Sequence, residues 1–172
     1  MQPRVYLTSD THFYHKNILN LEPNRKVLGE TVEEMNQSLI ERWNSVVRKD
    51  DLVIHLGDVS FGNKEKTLAI MCKLKGRKFL VMGNHDTSRT VTWFKNVGFE
   101  GVSKDPVDYG DTVLSHEPLG RFRHNQINLH GHIHSRNMLS SAYKNVGVDV
   151  SDYTPILSNL SEDIVEAFQD GR

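Results

Sequence analysis

Three short apolar runs, at residues 4–8, 52–56 and 79–82, are separated by stretches whose apolar positions recur at helical spacing. This strand, helix, strand, helix, strand order restricts the chain more than any other feature, because it is the signature of an α/β protein. Thr31 and Glu34 have capping-box spacing, and Val32, Met35, Leu39, Trp43 and Val46 follow as one face of an amphipathic helix. A second helix is expected from a cap at Asn63 through Leu68, Met71, Cys72 and Leu74, with Gly76 just past its end. A short helix at 91–97 stops at Gly98. Beyond it, residues 107–109 and 112–115 flank Gly110-Asp111 as a β-hairpin, although the dipeptide reverses the favoured Asp-Gly order. Residues 126–130 and 145–150 read as further strands, and Ser161, Glu162 and Asp163 start a terminal helix through Val165 and Phe168. The strand-rich second half predicts a mixed sheet system. At 172 residues, a single domain over 1–172 is expected.

Polar residues fall where chemistry would be placed. Asp10 follows the first strand, Asp58 the second, Asn84 the third, His116 the hairpin strand, and His132 and His134 the strand at 126–130. In open α/β sheets the carboxyl ends of strands are where ligands bind, and the loops there are free to carry function. Asp10 with His12, and His132 with His134, share i, i+2 spacing, which in extended backbone puts both side chains on one face and able to converge on one ion or two adjacent ones. Asp10, His12, Asp58, Asn84, His116, His132 and His134 are too many for one closed tetrahedral site and enough for two ions bridged by a carboxylate. Nitrogen and oxygen donors without a thiolate favour Mn, Zn, Fe, Ni or Co over an all-oxygen Mg or Ca site. Taken singly, Asp10 is a turn former or cap, Asn84 a left-handed turn residue and His116 a strand-end polar group. Those separate readings give no reason for five strand ends to carry metal-competent groups.

Composition removes other classes. A net charge of −1 marks neither a duplex-DNA clamp nor a membrane-surface binder. A single cysteine, Cys72, excludes an internal disulfide framework. Residues 1–10 lack a signal-peptide pattern and no run approaches 18 apolar residues, so a soluble, cytoplasmic protein with no membrane partner is expected. Aromatic residues do not interleave with a basic stripe, so no extended nucleic-acid surface is indicated. His15 and Asn17 are secondary candidates for phosphate contact, as are Arg121, Arg123 and His124, whose alternative reading is an exposed charged loop.

Asp10-x-His12, Gly57-Asp58, Gly83-Asn84-His85-Asp86, His116 and Gly131-His132-x-His134, in that order, resemble the calcineurin-like metallophosphoesterase superfamily. The opening Thr8-Ser9-Asp10-Thr11-His12-Phe13 and the short intervals are similar to its small uncapped bacterial and phage members. The resemblance implies two mixed β-sheets packed as a sandwich and flanked by helices. It implies that Asp10, His12, Asp58 and His134 hold one metal, that Asp58, Asn84, His116 and His132 hold the other, and that Asp58 bridges them. Among Mn, Zn, Fe, Ni and Co, manganese is the leading expectation, and the resemblance does not decide it. A phosphate ester is then the substrate, attacked by a hydroxide shared by two cations about 3.5–4 Å apart. His85, next to ligand Asn84, would in extended backbone point its ring away from that metal; the resemblance gives it the leaving oxygen to protonate, with Asp86 accepting its other N–H. Alternatives within the same site are a nuclease or a cyclic-nucleotide phosphodiesterase. A non-catalytic scaffold of this fold should lack a ligand or the equivalent of His85, and this chain lacks neither.

Overall fold

The computed structural model describes residues 2–168. Nine strands run β1 (Val5–Thr8), β2 (Leu52–His55), β3 (Arg77–Val81), β4 (Gly101–Ser103), β5 (Val107–Tyr109), β6 (Thr112–Leu114), β7 (Ile127–His130), β8 (Tyr143–Asn145) and β9 (Ile156–Leu157). They form a five-stranded sheet, β4-β3-β2-β1-β9, and a four-stranded sheet, β5-β6-β7-β8. In the first, β9 alone is antiparallel to its neighbour; in the second, only the β5–β6 hairpin is. Both sheets are therefore mixed.

Side-chain alternation explains the layering. Val5, Leu7, Leu52, Ile54, Phe79 and Val81 point one way and pack against Val107, Leu114 and Leu129 of the other sheet and Val146 just past β8, forming the core of the sandwich. Tyr6, Val53 and Leu80 point the other way and meet Met35, Leu39, Ile40 and Trp43 of a helix. A strand buried on both faces reads as the continuous apolar run seen in the sequence. The helices are α1 (Ile18–Leu21), α2 (Val32–Val46), α3 (Lys64–Met71) and α4 (Val91–Asn96). Thr31 and Glu34 make the full capping box at the start of α2.

Several elements depart from expectation. α3 ends at Met71, so Gly76 is not its terminating residue; its φ of +90° instead turns the chain into β3. Residues 145–150 are not one strand, because β8 stops at Asn145 and a 3₁₀ turn occupies Val148–Val150. The terminal segment Glu162–Phe168 is 3₁₀ rather than α-helical. The short α1, the 3₁₀ turn Pro23–Leu28, β4 and β9 were not evident in the sequence. Among the described residues no helix is long and apolar enough to cross a membrane.

Candidate metal centre

The loops leaving β1 and β2 are laced together by main-chain bonds. Asp10 N–H donates to Gly57 O, His12 N–H to Asp58 O and Phe13 N–H to Val59 O, each at 3.0 Å. The loops after β6 and β7 join through Gly131 N–H to His116 O at 2.9 Å. All seven ligand candidates thus meet at one edge of the sandwich.

The backbone that aims them is not extended. Asp10, His12, Asp58, His132 and His134 have φ between 49° and 67°. The i, i+2 pairs converge because each member sits in the left-handed region, not because they alternate along a strand. Asp and His enter that region more readily than most residues, but still at a cost of about 1–2 kcal/mol each. Gly83 and Gly131 complete the packing, since a Cβ on the first would overlap the Asp58 carboxylate and one on the second the Asp10 carboxylate.

Two clusters of donor atoms result. In one, Asp10, His12 and His134 present ligand atoms within 4.8 Å of one another. Asp10 Oδ1 and both His12 ring nitrogens are buried without a hydrogen-bond partner. Buried polar atoms are seldom left so, and a cation would satisfy them. In the other, His116 Nε2 lies 2.8 Å from Asn84 Oδ1, and His132 Nδ1 lies 3.1 Å from that oxygen and 3.2 Å from His116 Nε2. Two atoms each about 2.1 Å from a shared ion stand about 3.0–3.4 Å apart, so this spacing suits coordination. Asp58 Oδ2 lies between the clusters, 3.7 Å from His12 Nε2 and 3.4 Å from His116 Nε2. The donor set fits divalent metal.

Electrostatics support the same grouping. Burial opposes ionisation of Asp10 and Asp58, but neighbouring His12 and His116 hold both carboxyls below their ordinary range. Burial lowers His116, yet Asp58, Asp10 and the Leu56 carbonyl together push it up to about 9. His116 Nδ1 faces Leu56 O at 2.7 Å, which directs Nε2 toward the other donors.

The other site residues are placed differently from expectation. His85 lies in a turn; its N–H donates to Asp58 Oδ1 at 3.0 Å and its Nε2 stands 3.9 Å from Asp58 Oδ2. Its half-exposed ring leans over the centre instead of pointing away. Asp86 does not serve His85. Its carboxylate accepts from Asp58 N at 2.7 Å, Gly83 N at 2.9 Å and Val59 N at 3.3 Å, bracing two ligand loops. Burial pushes this carboxyl up to about 6. Arg123 pairs with Asp108 and Gly110 O beside the hairpin turn, at the opposite end of β6 from His116, and is no phosphate clamp. His15 does adjoin the centre, its ring 5.5 Å from that of His12. Asn17 precedes α1 without capping it.

Sequence reading missed Arg25 and Asp149. Arg25 is wholly buried and grips Asp149 through Nε at 2.7 Å and Nη2 at 2.6 Å, while also donating to the main-chain oxygens of Asp10 and Thr11. Asp149 Oδ2 in turn holds His134 Nδ1 at 3.1 Å, leaving Nε2 for a metal. Their separation of 124 residues leaves no local pattern to find.

The fold is thus a two-sheet α/β sandwich with carboxylates and imidazoles gathered at its strand ends as a candidate metal centre. The chain belongs to the calcineurin-like phosphoesterase family, whose pattern it matches over residues 3–168. It is 32% identical over 174 residues to an uncharacterized protein of Methanocaldococcus jannaschii, covering 95% of this chain and 92% of that one. It is 34% identical over 169 residues to the gene 66 protein of Mycobacterium phage L5, covering 79% and 80%. Among solved structures, a protein of unknown function from Aquifex aeolicus superposes with a TM-score of 0.67 at 28% identity, over 91% of this chain and 96% of that one. The nuclease MPE of Pseudomonas putida shares the fold with a TM-score of 0.50 at 19% identity, over 76% and 62%.

Proposed function

We propose that the protein is a binuclear metal-dependent phosphoesterase. The observation that carries this reading is Asp58 Oδ2, set between His12 Nε2 at 3.7 Å and His116 Nε2 at 3.4 Å. This carboxylate faces both donor clusters. Asp10, His12, Asp58 and His134 would hold one ion, and Asp58, Asn84, His116 and His132 the second. Bound there, the metals would lower the pKa of a water toward neutrality and draw charge from the phosphoryl oxygens.

The chain's own residues do the rest. The buried carboxylates and the positively charged or metal-directed imidazoles fix where the phosphate sits. His85, half exposed beside Asp58, reaches the leaving oxygen and supplies its proton as the phosphorus–oxygen bond breaks. Asp86 keeps the Asp58 and Asn84 loops in register through its three amide contacts. Mn²⁺ is the leading metal, consistent with mixed nitrogen and oxygen donors and no thiolate.

The test is direct. Protein stripped of metal and reloaded with Mn²⁺ should bind two ions per chain by elemental analysis and hydrolyse a chromogenic phosphomonoester or phosphodiester, with chelator abolishing turnover. No ions taken up, or turnover indifferent to chelator, would overturn the reading.

A further inference from the structure

A cleft of about 640 Å³ opens beside the candidate metal centre, and Phe61 is the wall they share. The Phe61 ring stacks on His12 at 5.6 Å between centroids and lies 5.1 Å from His85, while 40% of the residue stays exposed. Tyr14 lines the same cleft. It holds a φ of 62°, unusual for a bulky side chain, and its N–H is pinned by Asn36 Oδ1 at 3.2 Å. Lys16, Lys26 and Lys66 also line the cleft, and none is paired with a carboxylate among the described residues. Lys66 instead stands 5.3 Å from the Tyr14 ring. A second, smaller cavity of about 300 Å³ touches Asn84 and His116. Each donor cluster therefore has room beside it for one arm of an ester, and a phosphate with two arms is a diester.

We propose that the cleft binds a nucleotide arm of a phosphodiester, its base against Phe61 and Tyr14 and its further phosphate among Lys16, Lys26 and Lys66. The proposal rests on the metallophosphoesterase reading above and names its substrate class. Flat π-faces accept bases by stacking, and ammonium groups accept phosphate. Glu30 and Glu33, on the same walls, repel additional phosphates, so the ligand is short rather than a polymer. In the reaction a water gives up one proton to solvent, from which His85 is later reprotonated, and its oxygen bonds to phosphorus as the bond from phosphorus to the arm over Phe61 breaks. That arm's oxygen takes a proton from His85, which lies next to Phe61, and the products are an alcohol and a phosphomonoester.

A thermodynamic cycle tests this. Thymidine dinucleotides with a 5′-phosphate, with a 3′-phosphate and with neither are compared as Mn²⁺-dependent substrates of the wild type and of a Lys16→Ala/Lys26→Ala/Lys66→Ala variant. Bis(p-nitrophenyl) phosphate serves as the simple diester. One terminal phosphate should lower KM about tenfold for the wild type and have no effect on the variant, and Phe61→Ala should raise KM for every dinucleotide about tenfold. A terminal phosphate that makes no difference, or the same difference in both proteins, overturns the proposal. So does cleavage of bis(p-nitrophenyl) phosphate with none of the dinucleotides, which leaves the phosphoesterase reading standing. Failure to cleave any ester with metal loaded overturns that reading; equilibrium binding of the phosphorylated dinucleotides to chelated protein then decides the cleft, a tenfold loss in the lysine variant supporting it and equal binding refuting it.

Discussion

His85 Nε2 lies 3.9 Å from Asp58 Oδ2, yet loss of the two residues should have different consequences. Asp58→Ala removes a carboxylate that faces both clusters, and elemental analysis should show fewer than two ions per chain. His85→Ala should keep its metal and lose about 10²–10⁴-fold in turnover, the usual effect of removing a general acid. Asp149→Asn should weaken metal affinity about 10–100-fold by metal titration, because it loosens the orientation of His134 without touching the metal, and should also lower stability by leaving buried Arg25 without its charge partner. The seven positions proposed as donors stood out in the sequence because each follows an apolar run at a strand end, and the fold brings them to one edge. The support for His134 was not legible, since Arg25 and Asp149 look like ordinary surface charges until folding buries them together. Asp86 was legible as part of Gly83-Asn84-His85-Asp86 but not in its task, which depends on three amides from two loops.

At the scale of elements, strand–helix alternation in the first half was readable because both-face burial and a capping box leave plain patterns. β4 and β9, with three and two residues, are too short to show a period, and sheet pairing alone defines them. The loops carry the finer surprise. Their left-handed residues let side chains two apart meet, and Gly131 allows its loop to lie directly on the Asp10 carboxylate. Gly131→Ala should therefore displace Asp10 and weaken metal binding at least about tenfold in a titration, while far-ultraviolet circular dichroism stays that of the wild type.

For the whole molecule, acid sensitivity should follow buried histidine. His55 is fully buried, and Thr11 Oγ1, which donates to Val59 O, accepts from its Nε2–H at 2.9 Å. Its Nδ1 has no partner, and burial lowers the group from 6.5 to about 3. Between those values the unfolded chain binds a proton that the folded one refuses. Stability is full above pH 6.5 and falls as the pH drops, by up to about 1.4 kcal/mol per unit from this residue. Urea denaturation of chelated protein between pH 7 and pH 5 should show a steeper loss for the wild type than for His55→Gln. The arrangement of the metal centre has a mechanical corollary. Asp10, His12, Asp58 and Asn84 issue from the five-stranded sheet, whereas His116, His132 and His134 issue from the four-stranded one. Each ion would rivet the two layers together at their open rim, and depriving the protein of metal should let that rim gape first, making it the earliest place a protease cuts.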